Sequence, residues 1–152
     1  TNTILVATSN AGSEYIQEAV KRNEDISLIR TTLILEKLKT IYSPEMLNRF
    51  DGVIVFKPLS QEDVVKITGL MIEQVKQRLL DKGIEFDISE EMIQSLAKEG
   101  YDPKFGARPL RRVIQEKVDN SLAKVLLEED VKRRDKIIID INGTRIERAT
   151  EI

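Results

Sequence analysis

Residues 100–110, which read GYDPKFGARPL, decide the fold of this 152-residue chain. Gly106 lets the backbone approach a ligand closely just before Arg108, and Pro109 suits the first turn of a helix. Apolar residues then recur on one face of the predicted helix: Leu110, Val113, Ile114, Val118, Leu122, Val125 and Leu126. The segment therefore predicts a loop that presents an arginine at the start of a long amphipathic helix.

Arg108 is the first candidate site residue, and Arg111 and Arg112 follow it in the first helical turn. The helix dipole disfavours each cation there by roughly 0.3–1 kcal/mol. A phosphate bound at the helix N-terminus would offset that cost. Alternatively, one of three acids supplies the counter-charge: Glu90, Glu91 or Asp102. The local pattern leaves both interpretations open.

The sequence on both sides of this segment predicts a small α/β unit over residues 59–152. Ser60 and Asp63 resemble a capping box at the start of an amphipathic helix that continues to Leu79. A half-buried strand is predicted at 84–88, followed by a helix that Ser89 caps and that ends at Gly100. Two final strands, 137–141 and 144–149, flank Asn142-Gly143, a strong hairpin signal.

Residues 1–58 contain two short runs without polar residues, at 4–7 and 53–56. Such runs are typical of strands buried on both faces of a parallel sheet, so strands are predicted at 4–8 and 53–56. Helices are predicted between them, from Ser13, over a stretch from Leu28 to Ile41, and at 45–49 after Pro44. Because a domain rarely begins with its most buried strand, we expect the chain to belong to a longer protein.

Asn10 and Arg49 are two further candidate site residues. Asn10 follows the first predicted strand, at the sheet end where ligands bind in α/β folds, and could orient a water or contact a phosphate. Arg49 ends the short helix and could act as an arginine finger, a group worth ~10³–10⁵ in phosphoryl-transfer rate. Taken singly, Asn10 also suits a turn, and Arg49 a helix C-terminus beside Asp51. Spacing alone favours these structural interpretations.

Composition excludes several classes of function. The chain has no cysteine and no histidine, so it has no disulfide, no thiolate metal site and no Ser–His or Cys–His catalysis. The net charge of -2 argues against a nucleic-acid footprint. No apolar run approaches the roughly 20 residues of a membrane span, and no signal peptide is evident, which favours a cytoplasmic setting.

A nucleotide or metal centre is also missing from the sequence. No G-x-x-x-x-G-K-[ST] loop is present to cradle phosphates. The run 137–139 followed by Asp140 imitates a magnesium-binding strand end, but Ile141 stands where a second acid is needed. We therefore predict no metal site and no self-sufficient ATP site.

Three stretches, taken in order, closely resemble the C-terminal part of Clp-type AAA+ ATPases, the ring-forming unfoldases and disaggregases. They are residues 8–13 (TSNAGS), 43–51 (SPEMLNRFD) with the apolar run and Lys57-Pro58-Leu59, and 100–110. The resemblance covers essentially the whole chain. It implies an α/β fold: residues 1–58 would end the AAA+ parallel-sheet large subdomain, and residues 59–152 would form the small C-terminal subdomain.

The resemblance also implies roles for the three candidates. Asn10 matches sensor 1, Arg49 the arginine finger that acts in trans, and Arg108 sensor 2. The Walker A and Walker B segments would lie before Thr1. The full-length protein would then bind ATP or ADP with Mg and hydrolyse ATP in a homo-hexamer that acts on unfolded or aggregated proteins. The 152 residues alone would bind no nucleotide tightly and would not be an enzyme.

Residues 13–42 contain no glycine, whereas family members that dock on the ClpP peptidase carry an Ile-Gly-Phe-like tripeptide in this stretch. The chain thus resembles the ClpB-type disaggregase branch rather than a peptidase partner. Two alternatives remain: a non-catalytic ring-assembly module, and the ATPase subunit of a Clp protease. Nucleic-acid binding is the weakest hypothesis, because acids interleave the basic residues and aromatics make up 5% of the chain.

The chain departs from the family pattern at one turn, and the resemblance leads to one further expectation. The family often has a Pro-Gly-Asp-like turn before the final hairpin, where this chain has Arg133-Arg134-Asp135. In the AAA+ fold another strand lies between the strands at 4–8 and 53–56. Without it both strands have open edges, so we expect residues 1–58 to be rearranged, swapped or disordered, and residues 59–152 to be compact.

Overall fold

The structure is a computed structural model that describes residues 3–102 and 105–149. Its contacts divide the chain into two compact units, Thr1–Pro58 and Leu59–Ile152.

The first unit is helical where it is regular. Helix α1 spans Ser13–Lys21 and α2 spans Ile26–Thr32; α2 continues as a π-helix, Leu33–Lys37, and a 3₁₀ turn, Leu38–Thr40. The four-residue helix α3, Pro44–Leu47, follows. The buried apolar side chains of this unit are Ala19, Ile29, Leu33 and Leu38. The predicted helix from Ser13 and the helix opened by Pro44 are confirmed, although α3 ends at Leu47 rather than at Arg49.

The two strands predicted in this unit are wrong. Residues 3–10 and 52–60 have no regular secondary structure, and Ile4 and Ile54 are 90% and 82% exposed. Among the described residues, no backbone hydrogen bond joins 4–8 or 53–56 to another segment. A strand is stabilised by a neighbour that pairs its amides and carbonyls, and neither run has one. The parallel sheet is therefore absent from the described part of 1–58.

The second unit is the predicted small α/β fold. It contains α4 (Gln61–Leu80), β1 (Glu85–Ile88), α5 (Glu90–Glu99), α6 (Leu110–Ile114), α7 (Asn120–Glu128), β2 (Lys136–Asp140) and β3 (Gly143–Glu147). Ser60 and Asp63 form the capping box of α4, with Asp63 N donating to Ser60 Oγ at 3.1 Å. A π-helical segment, Gln115–Asp119, joins α6 to α7, so the long helix predicted after Pro109 is continuous but not uniform.

The three strands form one sheet in the order β1-β2-β3, with β1 parallel and β3 antiparallel to β2. Phe86, Ile137 and Ile139 are buried and join the core that the helices cover. The predicted hairpin is confirmed, but its turn is shifted by one residue, because Asp140 pairs with Gly143. Asp140 Oδ1 accepts hydrogen bonds from Asn142 N at 2.7 Å and Gly143 N at 3.1 Å, which places Ile141 and Asn142 at the tip.

Candidate functional site

The loop before Arg108 is a closed turn anchored in the core. Asp102 N donates to Gly106 O at 2.9 Å, and Gly106 N donates back to Asp102 O at 2.6 Å. Gly106 has a φ of 63°, in the left-handed region that favours glycine. Leu110, two residues after Arg108, is fully buried. The loop therefore holds Arg108 between a tight turn and a core anchor.

The Arg108 side chain is exposed and forms no ion pair or hydrogen bond with a described residue. The alternative in which Glu90, Glu91 or Asp102 pairs with it is therefore not observed. Arg111 is also exposed and likewise has no ion-pair partner in the described part of the chain. Arg111 carries the dipole cost of the first helical turn and Arg108 directly precedes that turn, and neither has a counter-charge among the described residues.

Arg112 behaves differently from its two neighbours. Its Nε donates to Glu116 Oε1 at 2.7 Å, one turn along the helix, and this hydrogen bond raises the Arg112 pKa. Near the start of α6, Arg112 is thus engaged within the helix, whereas Arg108 and Arg111 pair with no described acid and are available to an anion. The i,i+4 spacing of Arg112 and Glu116 could have indicated this difference, because neither Arg108 nor Arg111 is followed by an acid four residues later.

Arg49 lies in the turn after α3. Ser43 caps this helix by accepting from Met46 N at 3.3 Å, and Arg49 N donates to Met46 O at 3.1 Å. The guanidinium is exposed and pairs with no described carboxylate, so the proposed pairing with Asp51 is not observed. A cation without a local partner is available to a ligand or to another subunit.

Asn10 lies at the end of the extended segment 3–10, just before α1. Its carbonyl accepts from Ser13 N at 3.2 Å, and its exposed side chain makes no hydrogen bond to a described residue. Gly12, with a φ of 71°, follows at the N-cap of α1. Because the strand before Asn10 is not formed, the sheet end that would orient its side chain is absent. Asn10 and Arg49 belong to the first unit and Arg108 to the second.

Asp135, in the turn Arg133-Arg134-Asp135, has a carboxylate whose hydrogen bonds no sequence pattern had indicated. It is buried and accepts from Lys132 N and Ala149 N, each at 2.9 Å, and from Arg148 Nη1 at 2.9 Å. These hydrogen bonds, led by those from the two backbone amides, lower the Asp135 pKa to about 2. The only local signal is an acid directly before an apolar strand. Its bonds connect the turn before β2 to the chain after β3, so Asp135 is structural.

The described residues contain neither a metal-binding group of acids nor a membrane-spanning helix. No group of three or more acidic residues there could hold a metal ion. No helix in the described ranges combines the length and the apolar character that crossing a membrane requires.

Comparison with known proteins gives one family and several relatives. The family model described as the C-terminal, D2-small domain of ClpB protein matches residues 59–139. The chain is 43% identical over 145 residues to the chaperone protein ClpB of Prochlorococcus marinus, covering 95% of this chain and 17% of that protein. It is 38% identical over 148 residues to the chloroplastic ClpB3 of Arabidopsis thaliana, covering 95% of this chain and 15% of that protein. The chain thus spans about a sixth of the length of these relatives.

Proposed function

The chain belongs to the family of the C-terminal, D2-small domain of ClpB protein, and from this premise we propose that it works as the C-terminal part of an ATP-dependent chaperone ring. The observation that carries the proposal is the exposed guanidinium of Arg108, which pairs with no described residue, on a loop anchored by buried Leu110. A guanidinium held in this way suits a phosphate, which accepts two hydrogen bonds from its planar fork.

In this proposal Arg108 is sensor 2 and contacts the phosphates of ATP bound to its own subunit. Arg49 is the arginine finger and stabilises charge on ATP held by the neighbouring subunit. Asn10 is sensor 1 and orients the attacking water. The absence of a P-loop from the 152 residues means that other parts of the full-length protein would hold the nucleotide and its Mg.

The partners follow from the same proposal. Adjacent subunits of a homo-hexamer would receive Arg49, and unfolded or aggregated proteins would be the substrates. The absence of glycine from residues 13–42 favours a disaggregase over a peptidase-docking ATPase. A cytoplasmic location remains our prediction. We expect the isolated 152-residue chain to show no ATP turnover.

The first test uses Arg49→Ala in the full-length protein. We expect ATP turnover to fall about 10³-fold or more, because the finger acts on the transition state, while nucleotide affinity is retained. Arg22→Ala is a matched control: Arg22 is an exposed arginine of the same unit, and its Nε is 2.7 Å from Glu24 Oε1. Normal hydrolysis by Arg49→Ala would reject the finger assignment.

The second test uses Arg108→Ala in the same protein. Loss of hydrogen bonds between charged groups costs roughly 1.5–3 kcal/mol, so we expect the nucleotide Kd to rise about tenfold or more. Arg112→Ala is the control, because that side chain is engaged with Glu116. If Arg49→Ala and Arg108→Ala both leave ATP binding and turnover unchanged, the chain is a ring-assembly module without a catalytic role.

A further inference from the structure

Gly100 is a buried glycine whose conformation any residue could adopt. It ends α5 with a φ of -83°, and its amide donates to Leu96 O at 2.8 Å. Space is the constraint at this position. A Cβ on Gly100 would lie 2.7 Å from Leu110 Cα and 2.6 Å from Leu110 Cδ1, closer than real Cβ atoms approach other atoms. Glycine is therefore required because the backbone of Leu110 packs directly against it.

Leu110 links the close packing at Gly100 to the position of Arg108. Its side chain is fully buried, so it cannot turn to solvent to make room for a Cβ. Leu110 N donates to Ala107 O at 3.1 Å, which closes a turn around Arg108 and Pro109. Planar peptide bonds and the fixed φ of proline make this turn stiff. A displacement of Leu110 therefore moves the backbone of Arg108 with it.

We propose that Gly100 is a positioning residue for Arg108: its missing side chain sets where the start of α6 packs on α5, and so where the Arg108 guanidinium meets a nucleotide phosphate. The inference rests on the proposed role of Arg108 as a phosphate sensor. Misplacing a binding group by about 1 Å can cost on the order of 10²-fold in activity. A single added methyl group, remote from the nucleotide, is thus expected to mimic partial loss of Arg108.

The test is a double-mutant cycle on ADP affinity in the full-length protein, with Gly100→Ala, Arg108→Ala and the double variant. We expect Gly100→Ala to raise the Kd about three- to tenfold, and the double variant to bind no more weakly than Arg108→Ala alone, because one effect passes through the other. If the two effects multiply, Gly100 does not act through Arg108 and the inference is wrong.

Two controls separate positioning from general destabilisation. Gly69→Ala adds the same methyl group within α4, where nothing lies within 4 Å, and is expected to leave the Kd unchanged. Leu122→Ala removes a buried side chain from α7, away from the loop, and should lower stability but not ADP affinity at a temperature where the protein is folded. An equal loss of affinity in Leu122→Ala would overturn the inference.

The remaining outcomes are also decisive. If Arg108→Ala does not change the Kd, the proposed function fails, whatever Gly100→Ala does. If only Arg108→Ala changes it, the positioning role alone fails. Should Gly100→Ala not fold, Leu110→Ala alters the same contact from the opposite side. It is then expected to weaken ADP binding about three- to tenfold, and an unchanged Kd would overturn the inference.

Discussion

Three apolar runs of similar composition differ in whether they form a buried strand. Ile137 and Ile139, in β2 of the second unit, are 0% and 2% exposed. Ile4 and Ile54, in the extended segments of the first unit, are 90% and 82% exposed. The run in β2 has a paired strand on each side, whereas the other two have none among the described residues. An apolar run therefore becomes a buried strand only where neighbouring strands complete it.

The largest expected effect separates these runs directly. Ile137→Ala should lower the free energy of unfolding of the chain by about 2–5 kcal/mol, because it leaves a cavity in the core. Ile54→Ala should change it by less than about 0.5 kcal/mol, as expected of an exposed side chain. Urea unfolding followed by circular dichroism measures both. A comparable cost for Ile54→Ala would mean that residues 53–56 are buried in solution.

The acid dependence of unfolding should also distinguish the two units, because Asp135 lies in the second unit and Asp25 in the first. The Asp135 pKa of about 2 lies below the unfolded value of about 3.9, so its contribution to stability is full above about pH 5 and is lost as pH falls towards 2. Asp25 also has a lowered pKa, but it is an exposed cap bonded to Ser27. Asp135→Asn should flatten the acid dependence of unfolding, and Asp25→Asn should not. Equal acid profiles for wild type and Asp135→Asn would contradict the structural role assigned to Asp135.

Removing a helix cap should also affect stability differently in the two units, by a smaller amount. Ser60→Ala removes the capping box of the 20-residue helix α4 and should cost about 1 kcal/mol in cooperative unfolding. Ser43 caps only the four-residue helix α3, so Ser43→Ala should have little effect on that transition. If thermal unfolding shows equal losses, the two units unfold as one cooperative body.

The smallest expected effect is a gain in stability. Arg134 has a φ of 72° and Asn23 a φ of 57°, both in the left-handed region. Arginine is strained there and asparagine is better tolerated, so Arg134→Gly should stabilise the chain by about 0.5–1 kcal/mol and Asn23→Gly by less. Differential scanning calorimetry detects the shift. A lower Tm for Arg134→Gly would show that the side chain contributes more than the strain costs.

Much of the second unit was predictable because its signals are local. The capping box at Ser60, the cap at Ser89 and the hairpin around Asn142 depend on neighbouring residues, and all three are observed. The strands of the first unit were not predictable, because strand formation depends on pairing partners that a single run does not contain. The hairpin turn shifted by one residue because the Asp140 side chain caps it.

The candidate site was predictable as residue types but not as a network. The sequence analysis took Arg108, Arg111 and Arg112 together, although the i,i+4 spacing to Glu116 separates Arg112 from the other two, and the ion pair is observed. The close contact of Gly100 with Leu110 joins residues ten positions apart, so no periodic pattern could reveal it. Asp135 was missed for a similar reason, because its partners Arg148 and Ala149 lie beyond the hairpin.

In the proposed ring, Arg49 acts on the nucleotide of a neighbouring subunit and Arg108 on that of its own. The most direct measurement is the ATP turnover of rings mixed from full-length Arg49→Ala and Arg108→Ala subunits. An Arg49→Ala subunit keeps Arg108 for its own nucleotide and can receive Arg49 from an Arg108→Ala neighbour. At an ATP concentration below the wild-type Kd, Arg108→Ala subunits bind little nucleotide. At equal mixing about a quarter of the interfaces should be intact, so turnover should rise to roughly a quarter of the wild-type value. Turnover no higher than the mean of the two homogeneous variants would contradict the claim.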